Sequence, residues 1–215
     1  MKELSKERWD DQAKAEVGYD KVMNRGWDEA TQNRYTSEQL TVLHNLGIWE
    51  DASVVDIGCG MGRFIQALIT WNTGAVIGID LSSEMIEEAR KLVEDPGRKA
   101  TYICHDLKEG IPLADKSTDI IIAWSILLHI IQDENFENIL REMARVSSRY
   151  IILGIDEPHQ DGQMGWDKSK QEHYFKKRSE EAHYSILRDA GYEVKVRGKI
   201  HNGAFTVALL EYQDL

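Results

Sequence analysis

Between Val54 and Phe64 an apolar run, Val54-Val55-Asp56-Ile57, breaks into glycines at 58, 60 and 62 and then resumes at helical spacing. Closely spaced glycines mark a backbone that turns tightly and presents main-chain N–H groups without an intervening Cβ, the geometry of a nucleotide-binding strand–turn–helix. A second apolar run, Ala75-Val76-Ile77-Gly78-Ile79, ends in Asp80. That is about the 20-residue offset at which a βαβ unit offers a carboxylate to ribose hydroxyls. One nucleoside-bearing cofactor satisfies both features.

The glycine spacing decides which cofactor. A dinucleotide fingerprint, Gly-x-Gly-x-x-Gly/Ala, calls for a small residue at Arg63 if it starts at Gly58, or at Ile65 if it starts at Gly60. Neither is small, and Arg63 would crowd the place where helix and strand pack closely, so a pyrophosphate loop is disfavoured. The Asp-x-Gly-x-Gly-x-Gly of residues 56–62 instead resembles motif I of the Rossmann-like, class I S-adenosylmethionine-dependent methyltransferases. The resemblance implies S-adenosylmethionine as cofactor, with S-adenosylhomocysteine as product. It places Asp56, Gly58, Cys59, Gly60 and Gly62 in the cofactor site, the glycine turn against the methionine part, and Asp80 on the ribose.

Strand and helix signals alternate along the chain. Strands are read near 53–57, 75–80, 100–104, 118–124 and 149–155, with helices near 62–71, 83–93 and 134–146, an alternation that argues for a parallel sheet with helices on both faces. Gly110, Pro112 and Asp115-Lys116-Ser117 make 105–117 a loop rather than a crossover helix. A helix opened by Ser179 and stopped by Gly191 precedes two last strands, about 192–199 and 203–211, joined at the turn signal Asn202-Gly203. Ahead of the first strand, an amphipathic helix fits Leu4 to Met23, and Ser37 is a candidate cap for a second helix ending near Gly47. The expectation is a doubly wound α/β fold with seven strands, mostly parallel and with an antiparallel last strand as in the methyltransferase family. Residues 1–48 form a helical cap on one compact cofactor domain, 49–215, whose insertion at 156–178 serves as a substrate lid.

Further segments resemble the family over roughly residues 50–212. Asp106 and Leu107 follow the third strand, where a carboxylate and a backbone N–H recognise adenine. Trp124 ends the fourth strand, which borders the sulfonium and the acceptor. Leu81 and Met85 are read either as the apolar and sulfur surface beside adenine or as ordinary packing residues of the next helix. Arg34 is proposed to pair with the cofactor's methionyl carboxylate, as a basic residue of the cap does in similar enzymes.

Methyl transfer from a sulfonium depends chiefly on alignment, so a base is an optional addition that helps an alcohol or phenol acceptor. His129, about one helical turn beyond the fourth strand, and Asp156 and His159, just after the fifth, are the candidates; structural or loop roles are the competing readings. Trp9, Tyr19, Trp27, Trp166 and Tyr174 are candidate walls of a small acceptor pocket, and core packing is the alternative for each. The segment 119–125 lacks the Asn/Asp-Pro-Pro-Tyr/Phe motif of amino-methylating base enzymes, and no Pro-Cys nucleophile is present. At the start of the fifth strand Val146-Ser147-Ser148-Arg149-Tyr150 replaces the family's glycine-rich turn.

Composition narrows the partners. A formal charge of −11, from 26 basic and 37 acidic residues, argues against bulk nucleic acid, which needs clustered Lys and Arg. Lys176-Lys177-Arg178 is the one locally basic run, and a solvated helix start accounts for it equally well. Cys59 and Cys104 have no metal-type spacing, and no run approaches a membrane span. The expectation is a reduced, cytoplasmic, unprocessed protein, monomer or homodimer, with no metal site and no membrane partner. Its acceptor is a small molecule, with O-methylation preferred. N-methylation of an amine or peptide terminus, or a non-catalytic cofactor-binding module, stands as the alternative.

Overall fold

The computed structural model describes residues 6–15, 28–92, 100–156, 162–167 and 172–213. The chain forms two compact units, Ser5–His105 and Asp106–Leu215. The first contains helix α1 (Lys6–Ala15), helix α2 (Glu29–His44), strand β1 (Val54–Ile57), helix α3 (Arg63–Leu68), strand β2 (Val76–Asp80), helix α4 (Ser83–Leu92) and strand β3 (Ala100–Cys104). The second contains β4 (Thr118–Trp124), α5 (Asp133–Val146), β5 (Ser147–Asp156), β6 (Met164–Asp167), β7 (Glu172–Lys176), α6 (Glu180–Asp189), β8 (Tyr192–Ile200) and β9 (Phe205–Tyr212).

Seven strands run in the order β3-β2-β1-β4-β5-β9-β8. Pairing is parallel for β1 with β2, β2 with β3, and β4 with β5, while β9 runs antiparallel to both β5 and β8. The expected Rossmann-like sheet with its antiparallel last strand is therefore present. Strand β1 is buried at every position and β4 at all but one. A near-continuous apolar run such as Ile120-Ile121-Ile122 is what a strand covered on both faces requires, and each such side chain contributes about 1.5–3 kcal/mol on burial. Helix α5 supplies Phe136, Ile139, Leu140 and Met143 to the core at the three- and four-residue steps of one helix face.

Several boundaries differ from the sequence reading. Helix α2 begins nine residues before the helix read from Ser37 as cap: Asp28 is its N-cap, its carboxylate accepting the Thr31 N–H at 2.8 Å. Ser37 lies inside the helix, where its carbonyl accepts the Thr41 hydroxyl at 2.7 Å. An aspartate three residues ahead of an N–H it can reach is the stronger start, because it also meets the positive helix end. No loop separates α5 from β5. Ser147 Oγ donates to Tyr150 O at 2.9 Å and Ser148 Oγ to Thr118 O at 3.0 Å, so serine hydroxyls stabilise the junction that glycines make in the resembled family. The insertion after β5 contains a two-stranded antiparallel ribbon, β6 with β7, that alternation did not reveal because each strand is short and the register shifts at Gly165/Trp166. The 105–117 segment holds only one 3-10 turn, Leu107–Glu109, as its loop residues require.

Candidate active site

In the first unit the glycine turn is built by conformation. Gly58, Gly60 and Gly62 have φ of +68°, +52° and +77°, a region L side chains rarely enter. A Cβ at Gly62 would also stand 3.2 Å from both Ala89 Cβ and Tyr102 Oη. Gly58 N–H donates to Ile79 O at 2.7 Å, which ties the turn to β2. Asp80 ends β2: its Oδ2 accepts the Gly60 N–H and its Oδ1 the Ser82 N–H, each at 2.9 Å. Burial raises the Asp80 carboxyl above its ordinary value, and these backbone donors offset only part of that rise. A carboxylate oxygen accepts two hydrogen bonds, so each keeps a lone pair for an incoming hydroxyl. A carboxylate oriented by backbone beside a glycine turn suits a ligand with vicinal hydroxyls, which is the fit a ribose-bearing cofactor demands.

Asp56 lies sealed beneath the turn. Burial, with a smaller push from Asp80, raises its carboxyl to about 8 against the pull of Arg63, so it holds its proton at neutral pH; its Oδ2 has no hydrogen-bond partner. Arg63 does not crowd the turn, because its guanidinium reaches back to α2, donating to Gln39 Oε1 at 2.6 Å and Thr36 Oγ1 at 3.2 Å. Cys59 is buried, and burial pushes its thiol up. Met85 is 1% exposed and packs with Ala13 of α1 and Met61 of the turn. Leu81 is half-buried, its carbonyl accepting the Cys104 thiol. Arg34 is exposed on α2, and Trp9 is half-buried on α1.

In the second unit Asp106 caps the 3-10 turn, accepting the Lys108 N–H at 3.0 Å, and Leu107 beside it is buried. Trp124, also buried, closes β4; a Cβ at Gly154 would stand 2.4 Å from its ring, so only glycine makes room for the indole. Ser125 follows with φ +52°, a conformation that costs a non-glycine residue about 1–2 kcal/mol and recurs where function is served. Its Oγ is buried without a well-formed hydrogen bond. Asp156 ends β5. Burial raises its carboxyl to about 6, with the nearby Ser125 hydroxyl and Lys177 ammonium opposing, and its buried Oδ2 has no partner.

Asp156 lines a cleft of about 240 Å³, measured to its open mouth, together with Leu127, Leu128, Lys177, Arg178 and His183. The cleft has room for about one water-sized group. Arg178 is not the solvated helix start that composition allowed. It is 5% exposed and donates to Ile130 O at 2.9 Å, Ile131 O at 3.0 Å and Asp133, with Phe136 stacked 4.2 Å from its guanidinium carbon. Carbonyls at the end of an apolar run need donors, and tertiary packing brings this arginine to them. His129 is half-buried in the Leu127–His129 turn and is not among the cleft-lining residues. His159, Tyr19 and Trp27 lie outside the described residues; Trp166 and Tyr174 belong to β6 and β7, and their side chains are also outside the description. Sequence reasoning missed Ser125, Ser82 and Asp10, since an isolated serine or helix-surface aspartate carries no signal until its neighbours are known.

Among the described residues no group of His, Cys, Asp and Glu could hold a metal ion, and no helix is long and apolar enough to cross a membrane. Residues 54–149 match the family described as methyltransferase domain. The chain is 26% identical over 118 residues to sterol 24-C-methyltransferase of Aspergillus fumigatus, covering 54% of this chain and 30% of that protein. It is 28% identical over 134 residues to an O-methyltransferase of Pyrenophora dematioidea, covering 59% and 49%. The chain thus spans less than half the length of these curated relatives. Its fold resembles magnesium protoporphyrin IX methyltransferase from Synechocystis, solved with bound S-adenosylmethionine, with TM-score 0.67, 21% identity and coverage of 96% of this chain and 90% of that one.

Proposed function

Because the chain belongs to the class I S-adenosylmethionine-dependent methyltransferases, we propose that it transfers a methyl group to a hydroxyl of a small-molecule acceptor. When bound, the cofactor supplies a methyl group activated on a sulfonium sulfur. The glycine turn Gly58–Gly62 and Asp80 are the residues that would hold it, Asp80 through its remaining lone pairs. Within the same unit Cys59 and Leu81 would complete that part of the site, with Arg34 toward the methionyl carboxylate.

The observation that carries the O-methyl reading is Asp156: a buried carboxylate with one unpartnered oxygen, held beside Ser125 at the end of β5. In open α/β sheets ligands gather at the carboxyl ends of strands. An acceptor hydroxyl entering the cleft would donate to Asp156 Oδ2. Asp156 would take its proton as the oxygen–methyl bond forms and the sulfur–methyl bond breaks, a role that general bases fill with about 10²–10⁴-fold rate effects. Asp156 is preferred to His129 because the cleft reaches it. The segments bearing Trp9 and the β6–β7 ribbon are the proposed selectors of acceptor shape. Two free cysteines suit a reducing, cytoplasmic setting.

The test is a screen of alcohols, phenols, carboxylates and amines with methyl-labelled cofactor. Methyl ethers as products, lost in Asp156→Asn while cofactor binding persists, support the reading. Turnover of amines alone would replace it with N-methylation, and binding without any turnover would favour a non-catalytic module.

A further inference from the structure

Helix α1 belongs to the same compact unit as the glycine turn and docks on the start of α4. Asp10 Oδ1 accepts the Ser82 hydroxyl at 2.6 Å and faces the Glu84 N–H at 3.4 Å. Lys6 Nζ donates to Ser83 Oγ at 2.8 Å, and Lys14 pairs with Glu84 at 3.2 Å. Ala13 is buried with Met61 and Met85, so the helix also covers the turn with an apolar contact.

Ser82 is the junction. It is wholly buried, its N–H donates to Asp80 Oδ1 and its Oγ accepts the Met85 N–H at 3.2 Å while giving its own proton to Asp10. A continuous relay therefore runs from Asp10 through Ser82 to Asp80 and on to the Gly60 N–H. The lysine contacts on α1 are solvent-exposed and contribute little, whereas a hydrogen bond from a buried hydroxyl to a carboxylate is of the strong, charge-assisted kind.

We propose that α1 is a cofactor clasp with Asp10 as its positioning residue: by orienting Ser82 it sets the Asp80 carboxylate, and so raises affinity for S-adenosylmethionine. The inference rests on Asp80 as the ribose-binding group. Asp10 touches neither the cofactor nor the reacting atoms, and its effect passes through Ser82. A residue that only capped α4 would alter stability and leave cofactor affinity alone.

Calorimetric titration of the full chain with S-adenosylmethionine and S-adenosylhomocysteine separates these outcomes. Asp10→Ala is expected to weaken binding about tenfold. Asp10→Asn, whose amide oxygen still accepts from Ser82, stays within about twofold of wild type, and Lys14→Gln is unchanged. Asp10→Ala/Ser82→Ala is no weaker than Ser82→Ala alone, because coupled residues do not add. Wild-type affinity in Asp10→Ala, no rescue by Asn, or additive losses would overturn the clasp. Equal binding by wild type and Asp80→Ala would overturn the ribose assignment and the clasp with it, while absence of wild-type binding would overturn the cofactor reading itself. Amide exchange of residues 6–15 in the wild type gives a check free of folding defects: protection is expected to rise with S-adenosylhomocysteine, and unchanged protection counts against the clasp.

Discussion

Asp80 and Asp156 each end a strand of the sheet, each is half-buried, and desolvation raises the carboxyl of each, yet they differ in what meets the oxygens. Asp80 accepts a backbone N–H on either oxygen, one from the glycine turn and one from the residue that caps α4. Asp156 leaves Oδ2 without a partner beside a serine in a left-handed conformation. The first is arranged to hold a ligand in one orientation. The second is under-solvated, and an under-solvated carboxylate gains most from a group that donates a proton to it. On the proposed function, binding and chemistry divide between two acids of the same type by the number of donors each environment supplies.

The largest test of that division is the turnover of Asp156→Asn. With an acceptor in hand, kcat is expected to fall about 10²–10⁴-fold while the dissociation constant for S-adenosylmethionine is unchanged. Retained kcat would remove Asp156 from the chemistry and make the two acids alike. In the wild type, kcat/KM should rise with pH to a plateau above about 6, as Asp156 loses its proton and becomes able to accept one.

Stability sharpens the comparison next. Asp156 titrates near 6 when folded against about 3.9 in an unfolded chain. Between these values the folded state binds more protons, so this group's contribution to stability is fully present below about pH 4 and is lost as pH rises through 6. The resulting cost at pH 7 is about 2–3 kcal/mol. Asp156→Asn should therefore gain stability over wild type at pH 7 relative to pH 4, read from urea midpoints at the two values; an equal difference at both would mean that the carboxyl is not held in this environment.

Asp80→Ala removes charge-assisted acceptors from the cofactor side and is expected to weaken S-adenosylmethionine about ten- to hundredfold by calorimetry. An undiminished affinity would erase the contrast from that side. The smallest effect is expected at the turn itself. Gly62→Ala places a Cβ at φ +77° and 3.2 Å from Ala89, a cost of about 1–2 kcal/mol in thermal or urea unfolding. No measurable loss would show that the turn relaxes to a conformation other side chains tolerate.

The cofactor half was legible because backbone conformation dictates residue type. Positive φ at positions 58, 60 and 62 calls for glycine, and the apolar runs ending at Ile57 and Asp80 mark strands buried on both faces. The acceptor half was legible only in outline. Asp156 stood out by its place after an apolar strand, but Ser125, Arg178 and the β6–β7 ribbon did not, since a strained serine, a buried arginine and two short strands have no local periodicity. Arg178 shows the reason: the carbonyls of Ile130 and Ile131 that it satisfies lie 48 and 47 positions earlier in the chain.

The amino-acid sequence by itself determined the alternating strands and helices, the glycine turn and the acid that follows the second strand, because each is a local demand of backbone geometry or burial. Tertiary structure decided that α1 reaches Ser82, that Arg178 is buried against two carbonyls, and that each Asp80 oxygen meets a backbone N–H where Asp156 Oδ2 meets none. Those outcomes turn on which donors distant segments bring to a buried oxygen, and the desolvation of a carboxylate is set only once its surroundings have closed around it.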